Sequence, residues 1–359
     1  MSLESAIKII KRKQSKMTHY NLSEYDYHLP PELIAQEPLK QRDASKMMVL
    51  HRAEKIIESK KFEMFTSYLK EGDLLVLNDT RVIPARLIGT VEGKNKEAEL
   101  LLLRKLQDQQ WVCMVKPGRH LKPGSAVLLN EGVRAIITGY AEEGLRIAKF
   151  NVNEPLEYML SRLGQVPLPP YIKKEVENPD QYQTVYARKS GSAAAPTAGF
   201  HFTDHTFNRL DEIGVEKTFI TLHIGPGTFQ PVKVEDIRDH VMHREYFSVN
   251  DEAENAINRV RLAGGRIIAV GTTVCRVLET IADQRGLVRG VDTSTDLYVY
   301  PGYKFKAVDA MLTNFHLPRS SLLMLVSALA GHDLIMKAYR QAVMEEYRFF
   351  SFGDCMLIL

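Results

Sequence analysis

The sequence predicts an α/β protein of two domains, in which an α/β core carries an inserted β-barrel domain. The chain has 359 residues, 45% of them apolar, which is enough for a large core divided between two domains. Residues 84–166 alternate short runs of branched side chains with turn signals, as small barrels do. The flanking parts, 17–83 and 167–359, alternate strand-like and helix-like segments and so indicate the α/β domain.

The first half is predicted to consist mainly of strands. The chain is predicted to begin with short elements that have loop chemistry. A mostly apolar run at 73–77 then predicts a buried strand, which ends in a polar turn at 78–81. Prolines at 167, 169 and 170 exclude helix and central strand, so they mark the domain boundary. The strands expected in the barrel are 86–91, 97–103, 111–115, 126–129, 133–138 and 146–151.

The second half is predicted to alternate strands and helices. Thr203 and Asp251 are the expected N-caps of the first two helices, and Gly264 with Gly265 is the expected stop of the second. A break near Gly331 divides the last helical stretch. The predicted strands are 217–223, 266–270, 297–300 and 307–313, and the predicted helices are 203–213, 251–263, about 274–284 and 320–347.

The composition narrows the class of protein. The sequence has no run of about 18 apolar residues, so no membrane span is expected. Three widely separated cysteines argue against a disulfide framework, and zinc-site spacings are missing, so no metal is expected. The net charge of +3 does not exclude a local basic surface that binds nucleic acid. Basic residues 1–16 are interpreted as an extension, with a targeting or RNA-contacting arm as the alternative.

Four loops carry more Gly, Ser, Thr, His and Asn than their apolar surroundings require, and such loops usually hold binding and catalytic groups. The first, 191–203, lets a ligand approach its backbone and offers Thr197 and His201. Its alternative is a tight turn in which His201 only bonds to backbone. The second, 221–231, contains His223 and Thr228 around a Gly-Pro-Gly turn, which a plain hairpin explains equally well.

Downstream of the second loop, His240, His243 and Glu245 lie close together in the sequence. On a helix the two histidines would share a face as a metal pair, but no third ligand matches. Acid–base work by Glu245 or a histidine is the favoured interpretation, because burial can move the pKa of such groups toward neutrality.

The third loop places Gly271, Thr272 and Thr273 between an apolar strand and a helix, a general geometry for holding a nucleoside or a carboxylate. Capping of the helix by Thr272 or Thr273 is expected whether or not the loop binds a ligand, so it does not distinguish a binding loop from a purely structural one. In the fourth loop, Asn314, His316 and Arg319 leave a strand end together. Arg319 could pair with a carboxylate or a phosphate, and Ser320 or Ser321 is expected to cap the next helix.

In combination, these strings resemble one family closely, the S-adenosylmethionine:tRNA ribosyltransferase-isomerases of queuosine biosynthesis. The resemblance covers about residues 25–357 and leaves the basic N-terminal segment outside. Gln230, Pro226 and Cys355 are departures from its usual residues, and none of them removes a His, Asn or Thr of the main loops. The strings that carry it include 78–82 (NDTRV), 195–202 (APTAGFHF), 222–229 (LHIGPGTF), 269–273 (AVGTT), 313–320 (TNFHLPRS) and 347–357 (YRFFSFGDCML).

The resemblance implies an unusual transfer reaction. The ribosyl unit of S-adenosylmethionine would move to 7-aminomethyl-7-deazaguanine at the tRNA wobble position and isomerise, giving epoxyqueuosine with release of adenine and methionine. S-adenosylmethionine is then a consumed substrate, and no cofactor is expected. The expected partners are this tRNA and S-adenosylmethionine, with no membrane, for a cytoplasmic monomer that combines a β-barrel with an α/β domain.

A sulfonium acidifies the adjoining carbon, so this chemistry calls for a positioned base. The candidate bases are His201, His223, Glu245 and His316, left unranked by the sequence. Two other functions remain open at this point: a small-molecule transferase that uses S-adenosylmethionine, and a non-catalytic RNA-binding barrel. The candidate substrate-binding residues are Thr197, Thr228, Gly271, Thr272, Thr273, Asn314 and Arg319.

Overall fold

The computed structural model describes residues 19–107, 109–174, 178–225 and 232–359. The strands are β1 (Lys46–His51), β2 (Ile56–Lys61), β3 (Leu74–Asn78), β4 (Thr80–Val82), β5 (Arg86–Val91), β6 (Glu97–Gln107), β7 (Gln110–Lys116), β8 (Ala126–Leu128), β9 (Arg134–Tyr140), β10 (Arg146–Phe150), β11 (Lys189–Ser192), β12 (Glu216–His223), β13 (Glu245–Val249), β14 (Ile267–Val270), β15 (Val291–Thr295), β16 (Ala310–Asn314) and β17 (Cys355–Ile358). The α-helices are α1 (Leu156–Leu163), α2 (Asp204–Glu212), α3 (Asp251–Leu262), α4 (Thr272–Ile281), α5 (Ser321–Ala330) and α6 (His332–Met344).

A nine-stranded mixed sheet, in the order β15-β13-β12-β3-β14-β16-β17-β1-β2, forms the centre of the core. Its middle strands β12, β3, β14 and β16 run parallel. Their apolar residues are covered on both faces, because side chains alternate along a strand. Leu74 and Val76 of β3 pack in the cluster that includes α3 to α6, whereas Leu75 and Leu77 pack with α2 on the opposite face.

A closed six-stranded barrel, in the order β10-β7-β6-β5-β8-β9, is the second unit. Its interior is apolar and contains the single tryptophan of the chain, Trp111. Helix α1 packs Leu156, Met159 and Leu160 against this interior. The predicted fold class, an α/β core with a β-barrel, is confirmed. The division at 84 and 166 stays a prediction, although the barrel strands lie inside those limits.

Several elements differ from the predictions for physical reasons. Residues 297–300 are not a strand; the edge strand is β15, whose polar sequence VDTST carries little apolar signal. The N-cap of α3 is Asn250 rather than Asp251, because the Asn250 side chain accepts from the backbone N–H of Ala253. Thr203 and Ser320 cap α2 and α5 as predicted. The sequence analysis also missed β1, β2, β4, β11, β13, β17 and α1.

Within the described ranges, no single helix is long and apolar enough to cross a membrane. Helices α5 and α6 satisfy that length and composition only when they are counted together, and they are bent by 118° at Gly331. The predicted break near Gly331 is therefore confirmed.

A close contact between two barrel strands leaves no room for a side chain at Gly89. A Cβ atom on Gly89 of β5 would lie 2.4 Å from the backbone oxygen of Leu128 in β8. We expect Gly89→Ala to destabilise the barrel by about 1–3 kcal/mol, because a backbone atom cannot move aside as a side chain can. Urea unfolding followed by the fluorescence of Trp111, inside the barrel, measures this effect.

Gly139→Ala in β9 is the matched control, since its Cβ would meet only Ile147 Cδ1 at the ordinary distance of 3.6 Å. Equal unfolding midpoints for the two variants would contradict the prediction.

Candidate active site

The four parallel strands end at the same edge of the sheet, and this edge assembles the polar loops. Strand β12 ends at His223, β3 at Asn78, β14 at Val270 immediately before Gly271, and β16 at Asn314. In α/β sheets, ligands bind in the crevice outside the carboxyl ends of such strands. The fold therefore brings together loops that are far apart in the chain, from Asn78 to Asn314.

A cleft at this edge, here called the central cleft, has a cavity volume of about 80 Å³. Aromatic side chains of Tyr171, Phe315 and Phe350 form part of its wall. An apolar wall with a few converging polar groups is typical of a small-molecule site. Six of the residues predicted from the sequence line it: Thr197, Gly271, Thr272, Thr273, Asn314 and His316.

Helix α4 begins at the central cleft with Gly271 as its N-cap. The φ of Gly271 is 99°, a left-handed conformation that favours glycine. No side chain in the described part of the chain caps this helix, so the prediction that Thr272 or Thr273 does so is wrong. The first N–H groups of α4 thus keep a partial positive charge, which suits a negative or polar ligand group.

His201 lies behind the central cleft rather than in its lining. Its Nε2 accepts from the Asn314 amide at 3.4 Å, so the proton is on Nδ1, which faces the Ser45 hydroxyl at 2.8 Å. Burial, assisted by Arg42 and Arg348, lowers the pKa of His201 to about 3. A neutral His201 therefore holds the side chain of Asn314 in place.

Asn314 is fixed from several sides. Its amide nitrogen also donates to the backbone oxygen of Phe350 at 3.1 Å, and its oxygen accepts from Thr197 Oγ1 at 3.5 Å. His316 lines the same cleft; its Nε2 lies 3.2 Å from Thr313 Oγ1, and burial lowers its pKa to about 3. Both buried histidines are consequently neutral at pH 7.

His223 stands at the end of β12 with one nitrogen directed away from its support. Thr80 Oγ1 lies 2.9 Å from His223 Nδ1 and donates to the backbone oxygen of Lys189 at 3.4 Å. The Thr80 oxygen then accepts from Nδ1–H, which leaves a lone pair on Nε2. Burial lowers the pKa of His223, against the opposing effect of Asp79. A Cβ at position 191 would lie 3.0 Å from Nε2, so Gly191 keeps this position accessible.

Two further cavities meet at His223. The first, here called the basic groove, runs between the barrel and the core; the second, here called the barrel-side cavity, lies between β13 and the barrel. His223 lines both, and the next residue, Ile224, lines the central cleft. The end of β12 is thus the junction of all three cavities.

The basic groove has a clear excess of positive charge. Among the described residues that line it, seven are cationic and three are acidic. The cationic residues are Arg81, Arg86, Arg104, Lys105, Lys116, Lys173 and Lys174, and the acidic residues are Glu99, Glu157 and Asp180. This groove is therefore a local basic surface of the kind that the net charge of the chain did not exclude.

Glu245 lines the barrel-side cavity and not the central cleft. It forms a buried ion pair with Arg276 of α4, a residue that the sequence analysis did not single out. The signal was present, because Arg276 interrupts the apolar run 274–278 of α4 and lies four residues after Thr272.

Two predicted groups lie elsewhere, and Thr228 lies outside the described residues. Arg319 pairs with Asp26 at the surface and lines none of the three described cavities. His240 and His243 do not share a helix; His243 Nδ1 instead lies 2.6 Å from Glu143 of the barrel. The roles of Arg319 and Thr228 stay predictions.

One group of side chains lies within reach of a single metal ion: His19, His332 and Asp333, whose ligand atoms are within 4.8 Å of one another. The two imidazole rings are stacked, with centroids 3.7 Å apart and planes inclined by 16°. Imidazole coordinates in its ring plane, so nearly parallel rings do not aim their lone pairs at one ion. His19 Nδ1 is also bonded to Glu24 at 3.0 Å. The arrangement is that of a stacked pair at the surface.

A parallel-strand edge with a neutral histidine, a threonine-lined cleft and a basic groove is an arrangement that suits an enzyme with a small-molecule ligand and an anionic partner. Comparison with known proteins makes the class specific. The family model described as "Queuosine biosynthesis protein" matches residues 22–358. The chain belongs to this family, whose members act on tRNA with S-adenosylmethionine as a substrate.

Relatives named S-adenosylmethionine:tRNA ribosyltransferase-isomerase support this assignment. The protein from Symbiobacterium thermophilum is 55% identical over 94% of this chain and 99% of its own length. The protein from Caldanaerobacter subterraneus subsp. tengcongensis is 53% identical with the same coverage. A crystal structure of S-adenosylmethionine tRNA ribosyltransferase from Thermotoga maritima is 40% identical, covers 94% of this chain and all of its own, and has a TM-score of 0.54.

The buried histidines predict a pH-dependent stability. His201 and His316 have pKa values of about 3 in the fold, whereas an unfolded histidine has a pKa of about 6.5. The unfolded state therefore binds more protons below pH 6.5. We expect the free energy of unfolding to fall between pH 6.5 and 3, by about 1.4 kcal/mol per pH unit for each histidine.

Urea unfolding at several pH values between 7.5 and 4.5 tests this expectation. His201→Gln should weaken the pH dependence, because it removes one of the two titrating groups. His205→Gln on α2 is the control and should leave it unchanged, since the His205 side chain is exposed. The same slope in the wild type and in His201→Gln would contradict the prediction.

Proposed function

We propose that this chain transfers and isomerises the ribosyl group of S-adenosylmethionine onto 7-aminomethyl-7-deazaguanine at the tRNA wobble position, with release of adenine and methionine. The observation that carries the proposal is the end of β12, where the neutral imidazole of His223 lines the basic groove and the next residue, Ile224, lines the central cleft. A transfer between a small nucleoside and an RNA base needs such a meeting point.

The central cleft suits S-adenosylmethionine. Its aromatic and apolar wall can bury the adenine, and Thr197, Thr272 and Thr273 bring hydroxyl groups to the same cleft. The uncapped start of α4 offers backbone N–H groups to the methionine carboxylate. The ribosyl group would then lie between the two ends of the ligand, next to Ile224 and His223 at the cavity junction.

His223 is the base that the geometry favours. Its Nε2 carries the lone pair, its Nδ1 is supported by Thr80, and its lowered pKa keeps it neutral at pH 7. A base there can take the proton from the carbon beside the sulfonium. His201 has both nitrogens occupied by Ser45 and Asn314, and Glu245 is paired with Arg276. His316 contacts Thr313 and forms part of the wall of the central cleft.

The basic groove suits the tRNA. Phosphate contacts from lysine and arginine dominate the affinity of such complexes. A base that undergoes chemistry must leave the stack and enter a pocket, and the groove leads to His223. Action as a cytoplasmic monomer without a cofactor belongs to the same proposal.

The direct test of the reaction incubates the chain with labelled S-adenosylmethionine and tRNA that carries the aminomethyl-deazaguanine. We expect adenine and methionine to be released in equal amounts, with a ribosyl-derived gain in the mass of the tRNA followed by mass spectrometry. Unmodified tRNA is the control and should give no product. S-adenosylhomocysteine as the product would support a methyl transferase instead, and binding of tRNA without any turnover would support an RNA-binding protein.

A substitution tests the base. We expect His223→Asn to lower kcat by about 100- to 10,000-fold, because proton transfer by a positioned side chain contributes that much. The histidine must be neutral to act, and its pKa is lowered, so kcat/KM of the wild type should stay constant near pH 7 and fall only below pH 6.5.

His205→Asn, on the exposed side of α2, is the control for this experiment. Loss of less than threefold in kcat for His223→Asn, or an unchanged acid limb in its pH profile, would assign the base to another group.

A further inference from the structure

Arg276 is a charged side chain in an unusual place, because it lies in the middle of α4 and is only 2% exposed. Its Nε donates to the backbone oxygen of Leu297 at 2.9 Å, and its Nη1 donates to Glu245 Oε2. Its Nη2 has no hydrogen-bond partner within the part of the chain that the structure describes. A buried donor of this kind is costly unless an acceptor reaches it, so an acceptor is expected.

The position of Arg276 connects this donor to the candidate active site. Arg276 is four residues after Thr272 and three after Thr273, so all three share one face of α4. Side chains on a helix also lean toward its N-terminus, which here lies at the central cleft. Arg276 lines the barrel-side cavity together with His223. The Arg276 side chain is therefore directed to the region where the proposed reaction takes place.

The ion pair with Glu245 decides what kind of acceptor fits. The carboxylate of Glu245, itself 4% exposed, already neutralises the guanidinium. A second anion, such as a phosphate or a carboxylate, would be repelled by Glu245 in this buried place. A neutral oxygen, by contrast, can accept from Nη2 without bringing a further charge. A hydroxyl group is such an acceptor.

We propose that Arg276 binds the ribosyl group of S-adenosylmethionine, with Nη2 donating to one of the two ribosyl hydroxyl oxygens. Glu245 is then a positioning residue that fixes the guanidinium, rather than a base. The inference rests on the proposed function, since that function places the ribosyl group at the junction beside His223. The Glu245–Arg276 pair then selects the ribosyl donor by recognising one of its hydroxyl groups.

Calorimetry with S-adenosylmethionine and its 2′-deoxy and 3′-deoxy analogues tests this contact, with unmodified tRNA present so that no turnover occurs. Arg276→Lys keeps a positive charge beside Glu245 but loses the second guanidinium nitrogen. We expect it to weaken binding of S-adenosylmethionine by about ten- to hundredfold, the effect of one hydrogen bond from a charged group. One deoxy analogue should weaken binding to the wild type similarly, and the variant should add little to that loss.

Arg261→Lys on α3 is the matched control. Arg261 also pairs with a carboxylate, Asp309, and also has a nitrogen without a partner among the described residues, yet it lines none of the three described cavities. We expect this variant to bind S-adenosylmethionine as the wild type does. Thermal unfolding of both variants verifies that they are folded.

Three results would overturn the inference. They are unchanged affinity of Arg276→Lys, full additivity of the variant and analogue losses, and wild-type affinity that changes by less than twofold on removal of either hydroxyl. The last result does not depend on the folding of any variant. Failure of the wild type to bind S-adenosylmethionine at all would overturn the proposed function and this inference with it, so the two failures are distinguishable.

Discussion

The parallel pairing of β12, β3, β14 and β16 is the constraint on which the rest of the structure depends. Parallel strands need both faces covered, which is why helices lie on each side of the sheet and why β3, β14 and β16 are almost continuously apolar. Their polar residues are consequently placed at the strand ends. Because the four carboxyl ends share one edge, the loops that follow them form a single site. Asn78 strengthens this edge, since its side chain bonds to both backbone groups of Leu222 at 3.0 Å.

Three of the candidate site groups have a buried polar residue behind them. His201 holds Asn314, Thr80 holds His223, and Glu245 holds Arg276. Such supports fix the rotamers of the functional side chains, which is what catalysis by positioned groups requires. Burial also keeps His201 and His316 neutral in the fold, because it removes the solvent that would stabilise their charged forms. The proposed acid sensitivity of the fold and the proposed catalytic geometry thus share one cause.

The barrel completes the site from outside the sheet. Arg104 of the barrel lies over the ring of Tyr246 in β13 at 4.5 Å, and Glu143 lies 2.6 Å from His243. These contacts enclose the barrel-side cavity, while the other side of the barrel borders the basic groove. The β-barrel domain therefore adds both part of the charged surface of the basic groove and one wall of the cavity next to His223.

The sequence by itself determined the class of fold, the family and most of the loops that form the site. Branched and apolar runs predict strands locally, and strings such as APTAGFHF and TNFHLPRS are specific because their residues serve both turns and chemistry. The tertiary structure decided what each polar residue does. His201 and His223 look alike in the sequence, yet one is enclosed behind Asn314 and the other stands at a cavity junction. Arg276 gave only a weak local signal, because its partner Glu245 is 31 residues away. Burial, pKa and cavity lining arise from neighbours that are distant in the chain, and no local pattern specifies them.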